Sequence, residues 1–163
     1  MTKPAVGGTK PIKQPGSKTC FVCGVENDHG FRLSFYETSE ETVEAKTSIP
    51  KHFQGYPGVA HGGVVTALLD EVAVRAGTCG EPEHMMVTAK IEVRFRKNVP
   101  VEQPLRLVGT LIERKPRATR AKGEILLPDG TLGAEAEAIM MDHPISGLDT
   151  EALEALGWKV YPD

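Results

Sequence analysis

The sequence predicts an α+β domain in which an antiparallel β-sheet wraps around one long central helix. Three observations support this prediction. One apolar segment, residues 64–76, has the length and the all-round apolar character of a buried helix. Two segments before it and four after it have the length and composition of strands. Short polar turns separate the strand segments, as in hairpins of an antiparallel sheet.

Two strands are expected before the helix, over residues 31–38 and 42–49, because the polar residues 39–41 make a short hairpin link between them. The helix over residues 64–76 is apolar on nearly every side of a 3.6-residue period. We therefore expect other parts of the protein to enclose it.

Four strands are expected after the helix. In the first, residues 89–95, apolar Ala89, Ile91, Val93 and Phe95 alternate with charged residues, which is typical of a half-buried strand. The others are predicted over residues 105–113, 118–127 and 132–140, with turns at 115–117 and 128–130. Residues 149–156, followed by a glycine, predict a short capped helix that packs on the domain.

The chain divides into three predicted parts. Residues 1–19 are rich in Lys, Pro and Gly and contain no aromatic residue, which predicts a disordered tail. Residues 20–145 are predicted to form the main domain, and residues 146–163 a short helix and tail packed on it. At 163 residues with 40% apolar content, one domain can bury roughly two-thirds of its unfolded surface.

Composition also limits the location and the class of protein. The longest apolar stretches are far shorter than the ~18 residues of a membrane span, and the first residues contain no apolar signal-peptide core. Three cysteines, an odd number, favour a reducing compartment. We therefore expect a cytoplasmic protein with no membrane contact.

One carboxylate lies within the apolar helix. Burying an ionised carboxylate costs several kcal/mol, so Asp70 needs a partner or a chemical use. Its neighbour Glu71 has Arg75 four residues further on, the spacing of a helical ion pair. Asp70 has only Thr66 and Val74 at that spacing. It is either a reactive group or a residue held by a buried backbone donor.

Two glycines, Gly62 and Gly63, open the helix. Without Cβ atoms they allow a ligand close to the first turn, where unpaired N–H groups and the helix dipole favour developing negative charge. This is the outline of an oxyanion hole. Asp70 lies eight residues from Gly62, about 12 Å along the helix, so one chain cannot bring both groups to one small carbonyl. A second subunit or an elongated substrate would have to close this gap. The other interpretation is a tight loop-to-helix turn.

Basic residues are concentrated in residues 90–122, where ten Lys and Arg face three Glu in a chain of net charge −3. Such a segment suits an anionic ligand, and arginine forks suit phosphate oxygens. The other interpretation is a solvated outer face of a sheet. We expect no nucleic-acid partner, because the total charge is negative and no aromatic-rich basic module occurs.

Cys20 and Cys23, followed by Gly24, have the spacing of half a zinc knuckle. The sequence contains no second Cys-x-x-Cys, and Cys79 and the histidines do not fall at a recognised ligand spacing. We therefore expect no metal, and we expect the thiols to pack as small apolar groups.

The segments FQGYPGVAHGGVVTALLDE, residues 53–71, and HMMVTAKIEVRFRKNVPV, residues 84–101, resemble the hotdog-fold acyl-CoA thioesterases. The resemblance is to the branch of phenylacetyl-CoA thioesterase-like and thioesterase superfamily member 4-like proteins, and it covers roughly residues 20–142. The shared pattern is PG-x-x-HGG, an Asp eight residues after the first glycine of HGG, and V-T-A opening the next strand.

The resemblance implies a hotdog fold and hydrolysis of an acyl-CoA thioester to the free acid and CoA. It implies that Asp70 is a general base or nucleophile, that the Gly62 amide polarises the carbonyl beside His61, and that Thr88 positions water. It also implies a site between two subunits of a homodimer or homotetramer, which would resolve the 12 Å separation. No cofactor is implied besides the coenzyme A of the substrate.

Many members carry an Asn six residues before the HGG histidine, where this chain has Gly55. Either the adjacent Gln54 substitutes, or the site relies on Asp70 and Thr88 alone. We expect Gly63, Gln54 and an apolar acyl-binding group at Phe53, Tyr56 and Val59 to contact the acyl part of the substrate. The residues expected to bind the CoA phosphates are Arg94, Arg96, Lys97, Arg117 and Arg120.

Two functions other than hydrolysis share parts of this sequence pattern. A non-catalytic acyl-CoA-binding or sensing protein would keep the glycine turn and the basic segment, whereas Asp70 and Thr88 favour catalysis. The hotdog hydratases share a pattern in which a carboxylate lies five residues before a histidine. No Asp or Glu lies five residues before any histidine of this chain. The sequence does not indicate which acyl chain is bound.

Overall fold

The computed structural model describes residues 10–163, so the first nine residues of the predicted tail lie outside it. Its architecture is an antiparallel sheet and one long helix, as predicted, but the sheet has seven strands where the sequence predicted six. The strands are β1 (Ile12–Lys13), β2 (Tyr36–Glu37), β3 (Thr42–Thr47), β4 (Met86–Phe95), β5 (Leu105–Lys115), β6 (Ala118–Leu126) and β7 (Leu132–Asp142). The helices are α1 (Gly62–Gly77) and the short α2 (Thr150–Ala155).

The strands lie in the order β1-β2-β3-β5-β6-β7-β4, and every pair is antiparallel. Strand β4, which directly follows α1 in the chain, therefore forms one edge of the sheet. The long strands β5, β6 and β7 form its centre, and α1 packs across them. The sheet curves around α1, and the core lies between the two.

Helix α1 supplies the centre of the core because its apolar residues face the sheet. Leu68, Leu69, Val72, Ala73 and Ala76 are completely buried. The sheet contributes another fully buried set: Val43, Leu107, Ala121, Ile125, Ala134, Ala138 and Met140. This arrangement confirms the predicted enclosed helix.

The helix lies unusually close to the sheet at two paired glycines. Gly109 of β5 pairs with Gly123 of β6 in the sheet register. A Cβ built on Gly109 would lie 2.2 Å from the carbonyl oxygen of Val72, and one on Gly123 would lie 2.6 Å from that of Leu69. Only hydrogen atoms fit at these positions, so the two glycines set the depth at which α1 is seated.

The N-terminal part differs from the predicted pattern. Ile12–Lys13 of the expected tail pair with β2, and Gln14 is buried, donating to Glu37 at 2.9 Å and to the Arg75 carbonyl at 3.1 Å. The strand expected over residues 31–38 is reduced to Tyr36–Glu37. Residues 31 and 33 instead donate their N–H groups to the carbonyls of residues 21 and 22.

The short helix α2 forms where the sequence predicts it. The Asp149 side chain caps it by accepting from the Ala152 N–H at 2.8 Å. Leu153 is buried, and the Trp158 indole N–H donates to the Pro82 carbonyl at 3.0 Å, whereas Leu156 is 65% exposed. The C-terminal segment is therefore packed on the domain through Leu153 and Trp158.

Among residues 10–163, no helix combines the length and hydropathy that crossing a bilayer requires.

Gly109→Ala should destabilise the fold by about 1–3 kcal/mol or more, because the added methyl group would force α1 away from the sheet. Gly16→Ala is the matched control, since a Cβ there meets its nearest atoms at 3.6 and 3.7 Å, which is ordinary contact. Urea unfolding of both variants measures the difference. Equal stability of the two variants would show that the helix is not seated through Gly109.

Candidate active site

Asp70 lies in the third turn of α1 with its carboxylate half-buried. The Thr88 hydroxyl donates to its Oδ1 at 2.6 Å. Desolvation by burial raises the pKa of Asp70 above its ordinary value, the Thr88 hydrogen bond lowers this pKa, and the negative charge of Glu71 raises it. The net effect is a raised pKa, which makes the carboxylate a stronger base than an exposed aspartate.

A β-bulge brings Thr88 to Asp70. Along β4, Thr88 pairs with Met140 but Lys90 pairs with Ile139, so Ala89 is an extra residue with no partner. The bulge changes which residues face the helix: Met86 and Thr88 are half-buried before it, and Ile91 and Val93 after it. A regular strand that buried Ile91 and Val93 would turn Thr88 outward.

His61 caps the N-terminus of α1. Its Nδ1 accepts from the Gly63 N–H at 3.0 Å, and its carbonyl accepts from Val64 and Val65. The Gly62 N–H donates to no group within residues 10–163, so it is the available donor of this helix end. Of the two predicted glycine amides, the structure therefore leaves only Gly62 open to a ligand.

A cavity of about 350 Å³ adjoins Gly62. A Cβ on Gly62 would meet the Phe95 ring at 3.5 Å, which is ordinary contact, whereas one on Gly63 would lie 3.2 Å from the His61 ring. Contacts within one chain therefore explain why position 63 is a glycine, but they do not explain why position 62 is one. The cavity is lined by Val59, Ala60, Gly62, Val65, Phe95, Arg96, Lys97, Asn98 and Val99.

Gly62 and Asp70 belong to the same regular helix, residues 62–77. Eight residues of α-helix place them about 12 Å apart along its axis. One chain therefore presents two half-sites, an open N–H at the start of α1 and a carboxylate with a hydroxyl two turns later.

Besides Gly63, the other four residues expected around the acyl group lie in different surroundings. Phe53 stacks on Phe31 with ring centroids 5.0 Å apart, whereas Tyr56 is 84% exposed. The Gln54 Oε1 accepts from the Gly58 N–H at 3.1 Å, so this amide orders its own loop. Among them, only Val59 lines the cavity beside Gly62.

The predicted phosphate-binding side chains are mostly engaged with carboxylates. Arg94 pairs with Glu92, Arg96 with Glu135 and Arg120 with Glu137. Lys97 Nζ donates to the Thr131 hydroxyl at 3.0 Å, and Arg117 has no ion pair within the described residues. Glu135 and Glu137 belong to β7, outside the basic segment, so a count within that segment overstates its free positive charge.

Phe95 and Asn98 line the Gly62 cavity but were not recognised from the sequence. The alternating pattern of β4 placed Phe95 in the core, whereas it is 56% exposed at the end of the edge strand. The sequence signal was position, since β4 ends at Phe95 and the loops that follow regular elements often carry binding residues.

The comparisons with known proteins agree with this fold. Residues 57–134 match the family model described as the thioesterase superfamily. The acyl-coenzyme A thioesterase THEM4 of Rattus norvegicus is 29% identical over 93 residues, which make up 56% of this chain and 39% of that protein. The chain thus spans about two-fifths of the length of the curated relatives it matches.

The solved structures that match this chain include proteins described as thioesterases. A crystal structure of a thioesterase superfamily protein has a TM-score of 0.68 and 30% identity, covering 74% of this chain and 59% of its own. A hypothetical thioesterase protein from Streptococcus pneumoniae, crystallised with coenzyme A, has a TM-score of 0.58 at 18% identity, covering 68% and 85%.

The architecture is therefore the hotdog fold, an antiparallel sheet wrapped around one helix. Within it, residues 57–134, which contain α1, β4, β5 and β6, are similar to the thioesterase superfamily.

Asp70→Asn should stabilise the fold at pH 7, because the folded state disfavours the ionised carboxylate that the amide replaces. A raised pKa means that the native chain loses stability as the pH rises through that pKa. The gain in the variant should be at most ~1 kcal/mol, about 2–4 °C in Tm, since solvent still reaches the side chain.

Thermal unfolding at several pH values tests this expectation. The difference between the variant and the native chain should shrink as the pH falls through the raised pKa of Asp70, because protonation removes the disfavoured charge. A native chain more stable than the variant at pH 7 would instead indicate that Asp70 stabilises the fold as an anion.

Proposed function

We propose that this protein hydrolyses acyl-CoA thioesters at a site assembled from two copies of the chain. The observation that carries the proposal is the pair of half-sites on α1: the open Gly62 N–H beside a cavity, and the half-buried Asp70 held by Thr88. The names of the THEM4 relatives support the substrate class.

The Gly62 half-site suits the carbonyl of a thioester. When a nucleophile attacks that carbonyl, negative charge develops on its oxygen, and an N–H at a helix N-terminus stabilises this charge. A glycine at position 62, where packing within the chain tolerates a methyl group, leaves room for the carbonyl to approach. The His61 cap fixes the first turn and so orients the Gly62 N–H.

The Asp70 half-site supplies the attacking group. Its carboxylate, with a pKa raised mainly by burial, takes a proton from water more readily than an exposed aspartate does. The Thr88 hydroxyl holds one carboxylate oxygen and leaves the other for the water or for the thioester carbon. Both routes, general base and nucleophile, use the same residues.

The edge strand β4 is our candidate for the dimer interface. It is ten residues long, its outer edge lacks a neighbouring strand in the described sheet, and it exposes Val87 and Phe95. An exposed apolar edge strand invites pairing with a second copy. In an antiparallel, two-fold pairing centred between Ile91 and Glu92, Thr88 of one copy would face Phe95 of the partner subunit.

That pairing would unite the half-sites. Thr88 contacts Asp70, and the Phe95 ring lies beside Gly62. Bringing Thr88 of one chain to Phe95 of the other therefore brings Asp70 of the first chain towards the Gly62 cavity of the second. Each dimer would then contain two equivalent sites, which resolves the 12 Å separation within one helix.

Coenzyme A fits the rim of this cavity. Arg96 and Lys97 line it beside apolar Val59, Val65 and Phe95, so phosphate-binding and acyl-binding groups adjoin each other. The apolar lining favours an aliphatic or aromatic acyl group. The Streptococcus pneumoniae thioesterase crystallised with coenzyme A has the same fold, which supports binding of this ligand class.

The first test is thiol release from short, medium, long and aryl acyl-CoAs. We expect turnover of at least one, and a fall of about a hundredfold or more in kcat/KM for Asp70→Asn. Asp129→Asn, in the β6–β7 turn, is the charge-matched control and should retain activity. Light scattering checks that both variants keep the native oligomeric state.

Tight binding of acyl-CoA by the native protein without thiol release would contradict hydrolysis. The protein would then be a non-catalytic acyl-CoA-binding protein, and Asp70 would be a structural residue.

The second test asks whether two chains build one site. Gly62→Pro removes the critical N–H and places a ring in the carbonyl site, and the helix should still form, since proline is tolerated at the first helical position and His61 already has the extended backbone that precedes proline. Gly62→Pro and Asp70→Asn homodimers should each be nearly inactive, because both of their sites lack one group.

Mixing the two variants under subunit exchange should restore about one quarter of the native activity, since half of the dimers then contain one intact site out of two. Activity that stays at the level of the separate variants, although mass spectrometry shows mixed dimers, would place Gly62 and Asp70 of one chain in the same site.

A further inference from the structure

A second cluster of reactive side chains joins the loop of residues 20–23 to α1, next to the Asp70 half-site but separate from it. The Cys20 and Cys23 sulfurs and a Glu71 carboxylate oxygen all lie within 4.8 Å of one another. Cys23 is buried, while Cys20 and Glu71 are half-buried. The sequence separates the cysteines from Glu71 by about fifty positions, and the fold brings them together.

The loop around the cysteines is ordered in a way that suits a thiolate. Cys20 Sγ lies 3.3 Å from the backbone nitrogen of Val22 and 3.5 Å from that of Cys23, and both N–H groups donate to it. The Gly24 N–H donates to the Cys20 carbonyl at 2.9 Å. A Cβ on Gly24 would lie 2.3 Å from that carbonyl oxygen, so the turn requires glycine.

Glu71 and Arg75 form the inner wall of the cluster. The Arg75 Nε donates to a Glu71 oxygen at 2.8 Å, and the Arg75 side chain is only 3% exposed. The guanidinium also lies over the Phe35 and Trp158 rings, at 4.9 and 4.7 Å. A carboxylate has about four acceptor positions, so Glu71 can hold Arg75 and still offer an electron pair to a cation.

With a divalent cation bound, the charges of the cluster and of Arg75 sum to zero. Two thiolates and one carboxylate carry three negative charges, and a divalent ion with the Arg75 guanidinium carries three positive ones. A neutral set is what a mostly buried site requires. Binding would release one proton from each thiol that is protonated beforehand.

We infer that Cys20, Cys23 and Glu71 bind one Zn²⁺ ion, with the partly exposed side of Cys20 leaving a fourth position for water. Thiolates select zinc among the common divalent ions. Zn–S bonds of about 2.3 Å and Zn–O bonds of about 2.0–2.2 Å place neighbouring ligand atoms about 3.5–3.8 Å apart, within reach of small side-chain rotations here.

Such an ion would crosslink the N-terminal segment to α1. The cysteine loop accepts hydrogen bonds from residues 31 and 33, and Arg75 donates to the Pro15 carbonyl, so the ion would join these contacts to the central helix. The role is structural, and it does not depend on the proposed hydrolase activity.

The test uses full-length, tag-free protein purified without chelators. Elemental analysis should find about one zinc per chain in the native protein and in Cys79→Ser, whose thiol is buried outside the cluster. Cys20→Ser and Cys23→Ser should lose most of the metal. Because these variants could fail to fold, a second measurement uses the native sequence.

Cobalt substitution provides that measurement. Native protein stripped of metal and reloaded with Co²⁺ should show sulfur-to-cobalt charge-transfer absorption and the visible bands of a tetrahedral ion. Glu71→Gln keeps both thiolates, so it should retain the charge-transfer band while binding the ion at least about tenfold more weakly.

Two results would overturn the inference. One is native protein with no zinc and no thiolate charge-transfer band on cobalt loading. The other is an intact mass two hydrogens below that of the reduced chain, with Cys20 and Cys23 joined as a disulfide in freshly prepared protein.

Discussion

Helix α1 lies against the sheet at Gly109 and Gly123, and this close contact sets the positions of the side chains that α1 carries. With hydrogen atoms in place of side chains, the strand backbones come close to the carbonyls of Val72 and Leu69. The helix is therefore fixed in depth and rotation along the same two turns that carry Asp70 and Glu71. A carboxylate whose basicity depends on partial burial needs such a fixed position, because a small outward shift would hydrate it.

One helix consequently organises two chemically different places. Its first residue offers an N–H to a cavity, its third turn offers Asp70 with Thr88, and the neighbouring Glu71 points to the cysteine loop and Arg75. Adjacent helix positions differ by about 100°, so Asp70 and Glu71 face different surroundings although they are neighbours in sequence. The two carboxylates therefore have separate partners: Thr88 for Asp70, and Arg75 with the thiols for Glu71.

Most of the fold could be predicted from the sequence because its signals are local. The apolar run of α1, the alternation in β4 and the turns between β5, β6 and β7 each depend on a few consecutive residues. The segment over residues 31–35 alternates like a strand, yet it bonds to the loop of residues 21 and 22, a choice that only tertiary packing decides. Tertiary packing also decides the charge of the basic segment, whose counter-charges come from Glu135 and Glu137 of β7. It likewise brings Glu71 to the cysteines, and no sequence spacing indicates that contact.

The bulge at Ala89 has a consequence for how this strand can change in evolution. Ala89 is exposed and has no partner on β7, so its side chain is free to be replaced. Its backbone, however, switches β4 from one facing pattern to the other. Loss of this one residue would turn either Thr88 or the pair Ile91 and Val93 to the wrong face. Position 89 should therefore tolerate substitution but not deletion, because the facing pattern of β4 depends on its number of residues and not on the side chain at the bulge.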